Sequence, residues 1–391
     1  MAASKCNIVQ NHIENIITYL QPLLPLANSH MVDYFSKTSF ENCVPQELKT
    51  EILKVGYEQV ISILLDNKVN FDTPKLSEYI NKSRNCCLYN IKNICISKDD
   101  LNKKILEWGC NNLSSLKLEV FMTPKKSHEV ETLSKVAAAL SYIKKTTHVV
   151  DIGDGKGYLS SMLALHHTIP VLGIDASLIN TDGAVKRVRM LSKVWNGVTK
   201  KSKTSVFDQK EKNNCINEKL YKQITEYVTE NTDLKQLVSN VFLENSLRLG
   251  LVGLHTCGNL GSTSIRIFNN DTNIKTICNV SCCYHLLNEE FELDSTDITA
   301  DKNIGFPLSS FLRNLNFVLG RTARMLSSQS IDRILSKKEL PGKAVFYRSI
   351  LEVLLERYDV CPTKRQVGKI KKNFTDFPEY VHMALKNIGA D

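Results

Sequence analysis

Apolar residues recur at three- and four-residue intervals through the first 120 or so positions of the chain. Ile13, Ile16, Ile17, Leu20 and Leu24 form one stripe; Leu48, Ile52, Val55, Val60, Ile63 and Leu64 form another after Pro45. Such spacing puts the apolar side chains on one face of a helix. Start and stop signals agree with it. Thr73-Pro74 sets a hydroxyl cap before a first-turn proline, and Ser97 with Asp100 makes a capping pair ahead of Leu101, Ile105 and Trp108. Gly109 then stops that helix. The pattern predicts an N-terminal helical domain over residues 1–120 with no chemistry of its own.

The texture changes at Thr123-Pro124, which opens a helix carrying Val130, Leu133, Val136, Ala137 and Leu140 on one face. His148-Val149-Val150-Asp151-Ile152 follows, a branched apolar run suited to a buried parallel strand. Residues 158–166 read as helix, 170–175 as strand and 181–195 as helix, the last carrying Lys186, Arg187, Arg189 and Lys193. Residues 196–222 interrupt the pattern as a solvated basic insertion with Lys200, Lys201, Lys203, Lys210 and Lys212. A third strand is expected at 224–228, a helix at 234–243, and further strands at 249–254 and 274–280. Residues 301–391 return to helix, with a basic stretch at Lys364, Arg365, Lys369, Lys371 and Lys372 that reads as a solvated face. Strand and helix in alternation indicate a doubly wound α/β sheet, here expected to occupy 121–391 with the insertion and the helical C-terminal region included.

Composition narrows the class. Hydrophobic residues make up 42% and charged residues 23% of the 391, which excludes a disordered, collagenous or small disulfide-stapled chain and leaves room for two or three domains. The net charge of +9 permits an acidic partner such as RNA without requiring one. No apolar run reaches the length of a membrane span, and the first residues do not read as a secretory signal. The expected location is therefore the cytoplasm or nucleus, with the 12 cysteines as reduced thiols. They contain no Cys-x-x-Cys pair, so spacing gives no sign of structural zinc, and no metal site is assigned.

The sharpest motif is Asp151-x-Gly153-x-Gly155-x-Gly157, between a predicted strand and a predicted helix. Glycines there permit a tight turn and close approach to a ligand at the helix N-terminus. A dinucleotide turn has two residues before its third glycine; here Lys156 alone intervenes. The shorter form suits S-adenosylmethionine (SAM), whose carboxylate replaces a pyrophosphate, and disfavours a nicotinamide oxidoreductase. Asp175, at the end of the second strand, is the candidate for the ribose hydroxyls. Asp151 would meet the amino group, Glu230 or Asn231 the adenine amine, and Lys126 the carboxylate. Lys125 and His128 stand beside Lys126 in the same helix start.

The fourth and fifth strands end in His255-Thr256-Cys257-Gly258 and Ser281-Cys282-Cys283-Tyr284-His285. In a sheet of this kind those ends face the reacting methyl. Three readings stay open: a substrate pocket in which His255 or His285 orients or deprotonates a nucleophile, a sulfur and imidazole metal site, and plain packing of cysteines as small hydrophobes. His255, Cys257, Cys282, Cys283 and His285 are the catalytic-pocket candidates, with no base assigned among them.

These strings together resemble the methyltransferase-like protein 25 family. The resemblance runs from about residue 118 to the end. It rests on Thr123-Pro124-Lys125-Lys126-Ser127-His128-Glu129-Val130 and on stretches 150–160, 251–260, 280–287, 305–309, 320–325 and 367–370. It implies a class I SAM-dependent methyltransferase with a Rossmann-like sheet, acting on RNA or protein and not on a membrane. The rival from another class is a non-catalytic binding module that keeps the fold. Three substitutions depart from the family: Asp154 for a small residue, Asn259 for Asp, and Ser281 for Gly. Asp154 is expected to repel the SAM carboxylate unless Lys156 or an outward orientation offsets it. Nothing after Phe374 reads as the two strands that close the family's sheet, so the expected sheet lacks its last two strands and leaves the fifth as an exposed edge.

Overall fold

The computed structural model describes residues 2–66, 72–91, 94–111, 113–118, 122–201, 219–291, 305–329, 342–360, 367, 370 and 373–389. They divide into two compact units, Ile96–Val318 and Met1–Cys95 with Leu319–Asp391.

The unit Ile96–Val318 holds a parallel sheet of five strands, β1 (His148–Ile152), β2 (Val171–Asp175), β3 (Tyr221–Thr225), β4 (Leu249–Cys257) and β5 (Ile274–Cys282). Their spatial order is β3-β2-β1-β4-β5. The order reverses between β1 and β4, and the crevice at such a switch point is where open α/β sheets bind ligands. All five residues of β1 are buried, because helices cover both faces. Alternate side chains serve opposite cores. Val149, Val171 and Val252 join the cluster under helices Tyr158–Leu165 and Leu178–Lys201. Val150, Ile152, Leu172, Ile174 and Leu251 join the cluster under Leu234–Phe242 and Leu260–Asn270.

Local signals explain the helix before β1. Thr123 caps Pro124–Lys144, its hydroxyl accepting from the Lys126 amide at 3.3 Å, and the helix ends where Lys145 turns left-handed. Residues 96–118 stay with this unit because Ile105 and Cys110 pack on Ala139, and Leu116 and Leu118 enter the sheet's core.

Four strand and helix limits differ from the sequence reading. β3 begins at Tyr221, three residues before the expected start. It is an edge strand with only Tyr221 fully buried, so its apolar run did not mark it. β4 and β5 run on to Cys257 and Cys282 because their polar ends still pair beyond a register shift after Leu254. The helix from Leu178 extends to Lys201, into the expected insertion; Lys203, Lys210 and Lys212 lie outside the described residues. So do Lys364, Arg365, Lys369, Lys371 and Lys372. Among the described residues β5 pairs with β4 alone and is an edge, and Val280 on it is 43% exposed.

The second unit is helical and draws on both ends of the chain. Leu48, Val60, Ile63 and Leu76 form one core; Leu351, Leu355, Tyr380, Ala384 and Ile388 form another. Asn28 joins the two segments: its amide donates to the Leu319 carbonyl at 2.8 Å and its oxygen accepts from the Ala323 amide at 3.2 Å. The rings of Phe35 and Phe346 meet edge to face. Residues 319–391 thus group with the N-terminal helices, a different division from the 120/121 boundary expected from texture. Composition cannot show which of two helical segments a third will pack on.

Candidate functional site

The turn after β1 is built on three left-handed glycines, Gly153, Gly155 and Gly157, with φ of 74°, 58° and 69°. A Cβ on Gly157 would strike the Tyr221 hydroxyl, so a side chain is excluded there by space as well as by φ. Under the turn lies a buried polar cluster. Ser160 Oγ donates towards both Asp151 Oδ2 (2.8 Å) and Asp154 Oδ1 (2.6 Å), and the Tyr221 hydroxyl donates to Asp154 Oδ2. Burial holds the Asp154 carboxyl up at about 6, the bonds from Ser160 and Tyr221 pulling the other way. Burial, and after it the charge of Asp154, pushes Asp151 well above the carboxylate range. Asp154 therefore points inward, into the space left by the missing side chain of Gly173.

Asp175 ends β2 with its carboxylate facing the turn. Oδ2 accepts from the Gly155 amide (2.9 Å), while Oδ1 accepts from the Ser177 amide (2.8 Å) and the Asn180 side chain (3.0 Å). A carboxylate offers about four acceptor positions, so some capacity remains. Two cavities flank Gly153. One, of 370 Å³, is lined by Ile174, Asp175, Glu226, Tyr227, Val228, Cys257 and Leu260 among others. The other, of 440 Å³, is lined by Lys126, Asp151, Asp154, Gly155, Lys156, Tyr158, Leu254 and His255 among others. Both fall in the size range of small-molecule clefts.

The end of β4 is irregular. Leu254 pairs with Val280 and Thr256 with Ser281, so His255 is an extra residue. Its φ is 69°, the geometry of a bulge that re-aims a side chain. Nε2 of His255 lies 3.0 Å from Glu129 Oε2, and Glu129 also meets Lys125 at 3.6 Å. Beyond it Cys257 and Cys282 are register partners with sulfurs 3.2 Å apart, and Cys282 and Cys283 sulfurs are 3.6 Å apart. Burial, then the neighbouring sulfurs, pushes the Cys282 thiol up to about 12.

The family described as a methyltransferase domain matches residues 125–290. The sheet order and the glycine turn fall within that span. This segment is a methyltransferase domain. The whole chain is similar to "Probable methyltransferase-like protein 25" of Mus musculus, 25% identical over 98% of this chain and 83% of the relative. The Homo sapiens protein of the same name is also 25% identical, over 97% and 83%. No solved structure matches the chain. No described helix is long and apolar enough to cross a membrane.

Within the methyltransferase domain, Asp151, Gly153, Gly155, Asp175, Lys126 and His255 all line one cavity or the other. Gly157 lies behind the turn against Tyr221. Lys125 is exposed and faces Glu129, and His128 is exposed. Glu230 is placed elsewhere: it pairs with Arg266 at 3.7 Å, while Glu226 lines the cleft. The cause is the earlier start of β3, which makes Glu226 the residue just past the strand. His285 sits in a short turn, Tyr284–Leu286, with Nδ1 buried and unpartnered. Glu129, Ser160 and Tyr221 were not singled out in the sequence. Glu129 and Ser160 had a signal, since each lies in a string that carries the family resemblance, while Tyr221 had none.

Proposed function

We propose that the chain is an SAM-dependent methyltransferase acting on a macromolecular substrate, RNA or protein. The observation that carries this is the pairing of the single-residue glycine turn with Asp175, across which two cavities meet at the switch point of the sheet. Asp175 would hold the ribose, with Ile174, Val228 and Leu260 as the apolar walls beside it. Lys126 would take the carboxylate end. When bound, the cofactor supplies an electrophilic methyl group.

The chain's own residues position and deprotonate. With Nε2–H of His255 donating to Glu129, the neutral ring leaves Nδ1 to accept a proton from the nucleophile. Glu129 is a positioning residue that fixes this tautomer. Methyl transfer is an in-line displacement, so orienting the nucleophile contributes much of the rate.

S-adenosylhomocysteine tests the reading by thermal shift. At 100-fold its Kd it should add about 2.7 kcal/mol of stability. Asp175→Ala should remove most of that increment, measured against the variant's own ligand-free midpoint because Asp175 also holds Gly155, Ser177 and Asn180. No shift in the native protein sinks the proposal, and a shift with NAD alone would move it to the oxidoreductase class. Labelled-methyl transfer into RNA and protein fractions then assigns the substrate class.

A further inference from the structure

The cysteines at the ends of β4 and β5 gather as a group. The sulfurs of Cys257, Cys282 and Cys283 all lie within 4.8 Å of one another. Successive side chains of a strand point to opposite faces, so Cys282 and Cys283 should diverge. They do not, because Cys283 leaves the strand in a left-handed conformation, φ 51°, which costs a residue with a Cβ. The turn that follows is pressed against Gly258, where a Cβ would stand 2.8 Å from the Leu286 carbonyl. The backbone is thus bent so that two adjacent sulfurs face a third.

Packing does not account for this. A cysteine acting as a small hydrophobe is buried, but Cys257 is exposed and the other two are half-buried. A disulfide would use two of the sulfurs and leave the third without a role. Three convergent thiols instead match what soft cations seek. Among the described residues neither His285 nor any other ligand joins the group, which leaves a fourth position open. Three protein ligands with one open position is the arrangement of zinc sites that meet a substrate or water; structural sites close with a fourth ligand.

We propose that Cys257, Cys282 and Cys283 bind one zinc ion as thiolates at the edge of the cleft, leaving its fourth position to water or a substrate donor atom. Each thiol gives up its proton to solvent on binding, and no oxidation state changes. Cys257 also lines the cavity that contains Asp175, so the ion would border the cofactor cleft without occupying it.

The test uses the full chain, purified anaerobically with reductant and assayed for metal before and after chelation. About one zinc per chain is expected, and cobalt(II) added to the stripped protein should give a thiolate charge-transfer absorption that zinc abolishes. Removing an outer partner of a zinc ligand already costs 10–100-fold, so Cys282→Ser or Cys283→Ser should weaken binding by about 100-fold or more. Cys110→Ser, buried elsewhere in the same unit, should leave binding unchanged. Should the serine variants fail to fold, alkylation of the wild type decides: zinc should slow labelling of Cys257, Cys282 and Cys283 and leave exposed Cys6 and Cys95 unaffected. Substoichiometric metal without a charge-transfer band overturns the proposal, as does uniform labelling or a Cys257–Cys282 disulfide in the anaerobic protein. None of these readouts depends on SAM, so the metal and cofactor readings fail separately.

Discussion

Replacing Asp154 by Asn should make the sheet-bearing unit less sensitive to pH. Asp154 releases its proton at about 6 in the folded protein, against 3.8 when unperturbed, and burial is the cause. Between those values the folded chain keeps a proton that the unfolded chain has lost, so stability falls as pH rises. The difference of about two units corresponds to about 3 kcal/mol at 1.36 kcal/mol per unit, lost mostly between about pH 4 and 6. Asn keeps the volume and an acceptor for Ser160, while its amide can donate to the Tyr221 hydroxyl. It also removes the Asp154 charge, which after burial is the next cause of Asp151's rise, so both effects have one sign. Urea unfolding followed by tryptophan fluorescence is the assay. The chain's two tryptophans, Trp108 and Trp195, both lie in Ile96–Val318 and report on that unit. The stability of Asp154→Asn relative to wild type should rise by about 2 kcal/mol from about pH 4.5 to 7.5, the rest of the difference having been lost below that range. A difference that stays constant across that range would show that Asp154 titrates normally and that its burial carries no penalty.

Three other outcomes follow from the geometry. Gly157→Ala must place a Cβ at φ 69° against the Tyr221 hydroxyl and within 3.0 Å of Ala184 Cβ, so the urea midpoint of the same unit should drop by the equivalent of about 2–4 kcal/mol. His255→Ala should slow methyl transfer by about 10²–10⁴-fold once a substrate is in hand, while leaving the S-adenosylhomocysteine shift intact; loss of the shift would make His255 part of the cofactor site instead. Asp376 caps helix Phe377–Ile388 through the Glu379 amide at 3.0 Å, and Asp376→Ala should cost about 1 kcal/mol of the helical unit's stability by calorimetry.

The sheet was legible because its strands are buried on both faces. The apolar runs at β1 and β2 stand out within a residue of their true limits. β3 was misplaced because an edge strand carries little apolar signal. That slip moved the expected cleft residue from Glu226 to Glu230. The glycine turn and Asp175 were legible because their arrangement rests on backbone geometry and one strand end, both local in sequence. The His255–Glu129 pair was not, since 126 residues separate its members and the bulge that joins them has no glycine or asparagine to announce it. The thiol cluster fell between these cases. Its residues were visible, but their convergence depends on the turn at Cys283.

Asp154 shows how the consequence of a side chain depends on where the fold points it. An added carboxylate in a turn that meets an anion is expected to repel it, unless it faces outward or pairs with a lysine. The chain follows neither route. Gly173 leaves the volume that the carboxyl fills, Tyr221 supplies a donor from β3, and Ser160 supplies another from the first turn of the next helix. Each of those three residues alone is unremarked in the sequence; together they form a buried seat for this one side chain. Burial raises the carboxyl, so near pH 6 much of its charge is absent, and two hydroxyls spread what remains. The repulsion argument requires a charge directed at the cleft, and that premise does not hold for an inward, hydrogen-bonded group. Its cost falls on folding instead, which is why the pH dependence of stability is the measurement that tests it.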